Sequence, residues 1–354
     1  MVVEEGTMKA GRKYLLCVLV GVFAKSSLAL ETLVPGYLIE NYATYSAPGT
    51  LLAPREIAFD DDARLYLSHW EHQALISNPD SLYRVNTDRS GERWLTGVDS
   101  PRRVVSGVGT PFGDYLYLAE GDTDRILRIA ADKTYTTFGA GVPQAPTALA
   151  IDRTGTYGGQ MFVATRALDA VWQISPGGVR TAFSAFPYGA SGGPLDLSFD
   201  PGTNYGGLLY LTSSSDQASY SGLFGLDTSG NATRFAPALV NAFSVEVDPS
   251  GLFGGQMFVS ATTVLTNGNY TIWQVDSAGN SIPFARATLG ENALPTFTFG
   301  PDGYMYVPEW LPTTQQVAIS RIMPIPTVIP APGAALLVCL GVGCLAGFRR
   351  RIGA

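Results

Sequence analysis

Through the middle of the chain, apolar and polar residues alternate in short runs, each closed by Gly, Asp, Asn or Pro. Alternation with period two puts successive side chains on opposite faces of a strand, so the runs predict β-strands joined in a meander. TALAID, QMFVAT, AVWQIS and RTAFSAF follow one another in this way, as do FSVEVD, QMFVSA, TIWQVD and SIPFARA. No stretch of this region sustains helical periodicity.

The pattern also repeats. Gly-Gly-Gln-Met-Phe-Val occurs at 158–163 and again at 254–259, and Gly-Gly-Leu-Leu-Tyr-Leu stands midway at 206–211, which gives a unit of 48 residues. Each unit opens with an alternating strand ending in Asp, at Asp152, Asp200 and Asp248. The same ending recurs at Asp60 and, with Gly in place of Asp, at Gly107 and Gly300, making six copies. Four-stranded units of this length are the signature of propeller blades. The sixth copy lacks a fourth strand, and YLIENYAT at 37–44 matches the fourth strands of other copies. The predicted fold is therefore all-β, a six-bladed β-propeller of four-stranded blades closed by an N-terminal strand. In blade pattern it resembles the NHL and SMP-30/gluconolactonase-like superfamilies.

Both ends depart from the repeat. Lys9, Arg12 and Lys13 precede an apolar stretch at 14–24, and Ser27 and Ala29 suit a cut after Ala29, the layout of a secretory signal peptide. Glu4 and Glu5 do not suit its basic start, so Met8 is read as the true start. At the other end Pro330, Ala331 and Pro332 precede sixteen uncharged residues at 333–348 and then Arg349, Arg350 and Arg351. This run is shorter than the roughly 20 residues of a typical span. The flanking arginines nevertheless predict a C-terminal transmembrane helix with everything before Pro330 outside. Motif, apolar helix and basic cluster together resemble the PEP-CTERM sorting signals of Gram-negative bacteria, with Pro-Ala-Pro where Pro-Glu-Pro is usual. The resemblance implies an exosortase-type membrane protease as partner and delivery to the cell envelope or extracellular matrix. The expected layout is signal peptide 1–29, propeller 30–325 and sorting segment 326–354.

Composition narrows the chemistry. Cys17, Cys339 and Cys344, the only cysteines, lie in the two terminal segments, so the central domain has no disulfide, thiol nucleophile or cysteine metal site. A net charge of -7 argues against nucleic acid as partner. A monomer is expected. No Gly-x-Ser-x-Gly elbow or phosphate-binding glycine loop occurs.

In a propeller the polar residues sort to two ends of a central channel. Turns between first and second strands, DRTGTYGG, DPGTNYGG and DPSGLFGG, are read as Asp-capped, Gly-dependent structural turns. They lack the dense acidic run of a strong calcium loop. At the other end, the mouth, second-to-third loops are expected to bring His69, Trp70, Glu71 and His72, then Glu120, Asp122 and Asp124, Arg166 and Asp169, and Glu309 with Trp310. Glu56, Arg103 and Asp196 join them from innermost strands, each two residues after Pro54, Pro101 or Pro194. Charges gathered at a channel entrance are the default binding site. His69 and His72, the only histidines, share their loop with Glu71, a donor set that suits a divalent metal, though not with helical zinc-protease spacing.

Two functions remain open. One is an exported binding or structural module for matrix polysaccharide or a surface protein, with no cofactor. The other is a metal-dependent lactonase or lyase, which the SMP-30-like resemblance implies. There the ion is held by carboxylate and amide ligands of inner strands, and Glu56 and Asp196 are the residues that correspond.

Overall fold

The computed structural model describes residues 30–46, 51–71, 80–139, 145–166, 168, 170–185, 192–202, 204–263, 270–287, 296–311, 313–314 and 316–325, with backbone alone at 51–53, 70, 71, 192 and 287. The segments expected to be signal peptide, 1–29, and transmembrane sorting signal, 326–354, with Pro330, Ala331, Pro332, Arg349, Arg350 and Arg351, lie outside the described residues. No helix among the described residues is long and apolar enough to cross a membrane.

Six antiparallel sheets form the blades of the propeller. Their innermost strands are Leu51–Phe59, Pro101–Ser106, Pro146–Ile151, Gly192–Phe199, Val240–Val247 and Thr298–Phe299, and each sheet runs outward from these in chain order, except that the N-terminal segment supplies the outermost strand of blades five and six. Six apolar clusters fill the spaces between neighbouring blades. Tyr66, Leu82 and Trp94 of blade one, for example, meet Leu118 and Leu127 of blade two. Second strands such as Met161–Thr165 are buried along their whole length, because both faces of each sheet are covered. The alternation is therefore weakest there, and continuous apolar runs replace it.

Ring closure follows the sequence. Tyr37–Ser46 pairs along its length with Gln316–Pro324, from Tyr37 opposite Pro324 to Ser46 opposite Gln316, and completes the sixth blade. One strand was not foreseen: Leu30–Thr32 adds a fifth strand to the outer edge of blade five, with Glu31 opposite Arg286. Three residues are too few for alternation to register. The N-terminal segment thus secures two blades, and Ile325 N–H donates to the Gly36 carbonyl at 2.8 Å where the last strand leaves the ring.

The Asp-rich turns are built as read. Both oxygens of Asp152 accept backbone N–H groups, from Thr154 and Gly155 on one and from Tyr157 and Gly159 on the other, at 2.7–3.0 Å. Asp248 does the same with Ser250, Gly251, Phe253 and Gly255. A carboxylate saturated by donors has no lone pairs to offer calcium. The Gly-Gly pair is required because both residues turn left-handed, φ 74° and 63° at Gly158 and Gly159. Burial works to raise the pKa of Asp152, but hydrogen bonds from Thr154, Gly159 and Tyr157 outweigh it and hold the carboxyl below its ordinary range.

The aromatic residue within each turn reaches the next blade. Tyr157 Oη donates to the Leu226 carbonyl at 2.6 Å and accepts from Leu209 N–H at 3.0 Å, capping the strand pair in which those two residues face each other. Tyr205 repeats this on Val275 and Met257, at 2.7 and 2.8 Å. At the third junction Phe253 has no hydroxyl and instead stacks on Tyr37, centroids 5.5 Å apart.

Candidate functional site

Inner strands carry a recurring irregularity that aims side chains into the channel. The register shifts between Pro54 and Glu56, Pro101 and Val104, Pro146 and Ala148, and Pro194 and Asp196. Proline donates no ladder hydrogen bond, so it is tolerated at a strand start or a bulge. Four residues before each closing Asp or Gly stand Glu56, Arg103, Ala148, Asp196, Ser244 and Thr296, all buried, one from each blade.

Arg103 is the hub of this ring. Its Nη1 lies 3.4 Å from Glu56 Oε2 and 3.8 Å from Asp196 Oδ2, and its Nη2 lies 2.7 Å from Glu246 Oε1. The carboxylates have further donors. Thr296 Oγ1 donates to Glu56 at 3.3 Å, Ser244 Oγ and Val245 N–H to Asp196 at 3.0 and 3.1 Å, and Thr298 Oγ1 and Phe299 N–H to Glu246 at 3.0 and 2.9 Å. Burial and the nearby Asp196 push the Glu56 carboxyl up to about 8 against the pull of Arg103. Burial also raises Glu246, opposed chiefly by Arg103. Burial alone would depress Arg103, but Asp196, Glu246 and Glu56 together hold its pKa above the ordinary value.

The sequence-predicted residues divide as follows. Glu56, Arg103 and Asp196 come together. Glu246 completes their cluster and was missed. It stands two residues further along than the ring position, at a polar position of the alternating FSVEVD, and no proline two residues before it marks it out. Glu120 and Glu309 sit in strands Leu116–Glu120 and Met305–Leu311 instead of loops. Glu120 is fully buried, bonded to Arg125 and accepting from Asp99 N–H and Thr123 Oγ1 at 2.8 and 2.9 Å. Glu309 is buried and accepts from Ser320 Oγ at 3.3 Å. Trp310 packs on the apolar cluster between blades six and one. Asp124 accepts from Ala145 N–H at 2.7 Å, as Asp80 does from Ser100 N–H, so both pin the entry of the next inner strand. Asp122 and Arg166 are exposed.

His69 lies within the strand Leu65–Glu71, not in a loop, because the ladder continues through its pairing with Pro54 and Ser81. Its ring is fully buried between Tyr45 and Tyr83, with Nε2 2.9 Å from Tyr45 Oη. Burial, helped by Arg93, lowers its pKa to about 3, so the imidazole is neutral and ties blade one to the closing strand. The side chain of Glu71, with His72 and Asp169, lies outside the described residues. Among the described residues no group of three or more His, Cys, Asp or Glu side chains is disposed to hold a metal ion. The donor chemistry at the channel centre gives the reason. Glu56, Asp196 and Glu246 converge on a point that demands positive charge, and the Arg103 guanidinium stands there. A divalent ion does not fit these residues as they are arranged.

A cavity of about 460 Å³ opens at the opposite end of the channel, among the first-to-second-strand turns, with Phe59, Asp61, Arg103, Val105, Arg153 and Phe299 in its wall. Arg153 spans its rim, with Nη2 at 3.2 Å from Asp61 and 2.9 Å from the Ser106 carbonyl.

No family model matches the chain, and no curated protein matches it. Among solved structures it is similar to a gluconolactonase from Xanthomonas campestris, at 14% identity over 83% of this chain and 99% of that one, TM-score 0.51. It is similar to a catalytically inactive virginiamycin B lyase from Staphylococcus aureus, at 12% identity over 82% and 90%, TM-score 0.52. It is also similar to an auxiliary nutrient binding protein from Bacteroides thetaiotaomicron, at 9% identity over 81% and 76%, TM-score 0.55. At such identities the likeness is one of fold, and one fold carries many functions.

Proposed function

We propose that this chain is an exported six-bladed propeller that serves as a binding module at the cell surface or in the extracellular matrix, and that it needs no metal to do so. The observation that carries the reading is the channel cluster, where the Arg103 guanidinium already stands between the carboxyl groups of Glu56, Asp196 and Glu246. The terminal segments support export, and an exosortase-type protease acting near Pro330, Ala331 and Pro332 would determine the final attachment. The partner is a polysaccharide or another surface protein. A glycan array probed with the full-length chain, run beside lactone-hydrolysis assays with and without calcium, zinc and manganese, tests this. Glycan capture without turnover is expected, and metal-stimulated turnover would sink the reading.

The second reading is a lactonase or lyase. Two fold neighbours carry enzyme names, a gluconolactonase and a virginiamycin B lyase. Glu56 also has the raised pKa that is common among catalytic acids. Lactone turnover abolished by Glu56→Gln in a protein of unchanged melting temperature would establish it in place of the first.

A further inference from the structure

Of the candidate residues named from the sequence, Arg103 alone lines the cavity among the first-to-second-strand turns. Building on the binding-module reading, we propose that this cavity is the ligand site and that its ligand is an uncharged saccharide of one or two rings.

Three observations point there. The first is size. At about 460 Å³ the cavity falls within the range of small-molecule sites, about 300–1,000 Å³. The second is charge. Every cation in its wall is already engaged, Arg153 with Asp61 and the Ser106 and Val108 carbonyls, and Arg103 with three carboxylates. An anionic ligand would have to break one of these pairs or approach uncompensated carboxylates, whereas a neutral polyol only adds hydrogen bonds. The third is apolar surface. Phe59, Phe299 and Pro301 give the wall apolar surface against which the C–H face of a sugar ring can pack.

Calorimetry and saturation-transfer NMR on the full-length chain, with maltose, cellobiose, diacetylchitobiose and a glucuronate-containing disaccharide, test the site. At least one neutral disaccharide is expected to bind in preference to the charged one. Val105→Trp, which fills the cavity, is expected to weaken it at least tenfold. Asp61→Ala, at the exposed rim, is expected to weaken it about threefold while leaving the fold intact, and it decides the matter if the tryptophan variant does not fold. Binding unchanged in both variants, or preference for the glucuronate sugar, overturns the cavity assignment and leaves the binding-module reading standing. If no disaccharide binds, the assignment is overturned too; the broader reading falls separately, when the glycan array is also blank and lactone is turned over.

Discussion

Arg103 holds three carboxylates from three other blades, so its removal leaves buried negative charge without compensation. Arg103→Ala is expected to cost about 3–5 kcal/mol in urea titration. Two other buried groups set the pH profile. Glu56 is raised to about 8 from 4.5, so its contribution is complete below pH 4.5 and is lost as pH rises through 8. His69 is lowered to about 3 from 6.5, so its contribution is present above pH 6.5 and is lost as pH falls toward 3. Each limb has a slope of about 1.4 kcal/mol per pH unit. The two oppose each other between 4.5 and 6.5, where thermal stability should peak. Melting temperatures of Glu56→Gln measured between pH 6.5 and 8 should lose the alkaline decline, and an unchanged decline would assign it to another group. At this scale the sequence revealed charged residues at repeat-equivalent positions, two residues after Pro54, Pro101 and Pro194. That found Glu56, Arg103 and Asp196. It could not show that the strand through His69 runs on to Glu71, which is why a packing histidine was read as a mouth residue.

Between residue and blade, the recurring device is the turn whose Asp saturates itself with backbone donors while its Tyr bonds the neighbouring blade. Replacing Tyr157 with Phe removes one acceptor for Leu209 N–H and one donor to the Leu226 carbonyl, both buried. Tyr157→Phe should destabilise the domain by about 1–3 kcal/mol in chemical denaturation. A loss near zero would mean that the blade interface tolerates Phe, as the junction at Phe253 does by stacking. The strands themselves were legible because alternation and turn residues agree in every repeat. Leu30–Thr32 was not, since an edge strand of three residues is defined by its partner on blade five and not by its own pattern.

For the whole molecule, closure is the feature that joins the first and last described strands of the sixth blade. The strand Tyr37–Ser46 is paired along its full length with the last strand, and His69 bonds Tyr45 across the same junction. Deleting residues 30–46 should leave the last blade with an open edge and break the single cooperative transition, so that fluorescence and circular-dichroism melts no longer coincide. Repeat count, closure and blade architecture were all readable from spacing, whereas the cavity among the first-to-second-strand turns was not. Cavity shape depends on how five blades meet, which no single repeat encodes. The central claim remains that the guanidinium of Arg103 is the channel's cation. Elemental analysis and calcium and zinc calorimetry of the purified full-length chain, beside Arg103→Ala, test it most directly. The native protein is expected to hold no stoichiometric ion and the variant to gain affinity for one. One tightly bound divalent ion per native chain, lost in Glu56→Ala, would contradict it.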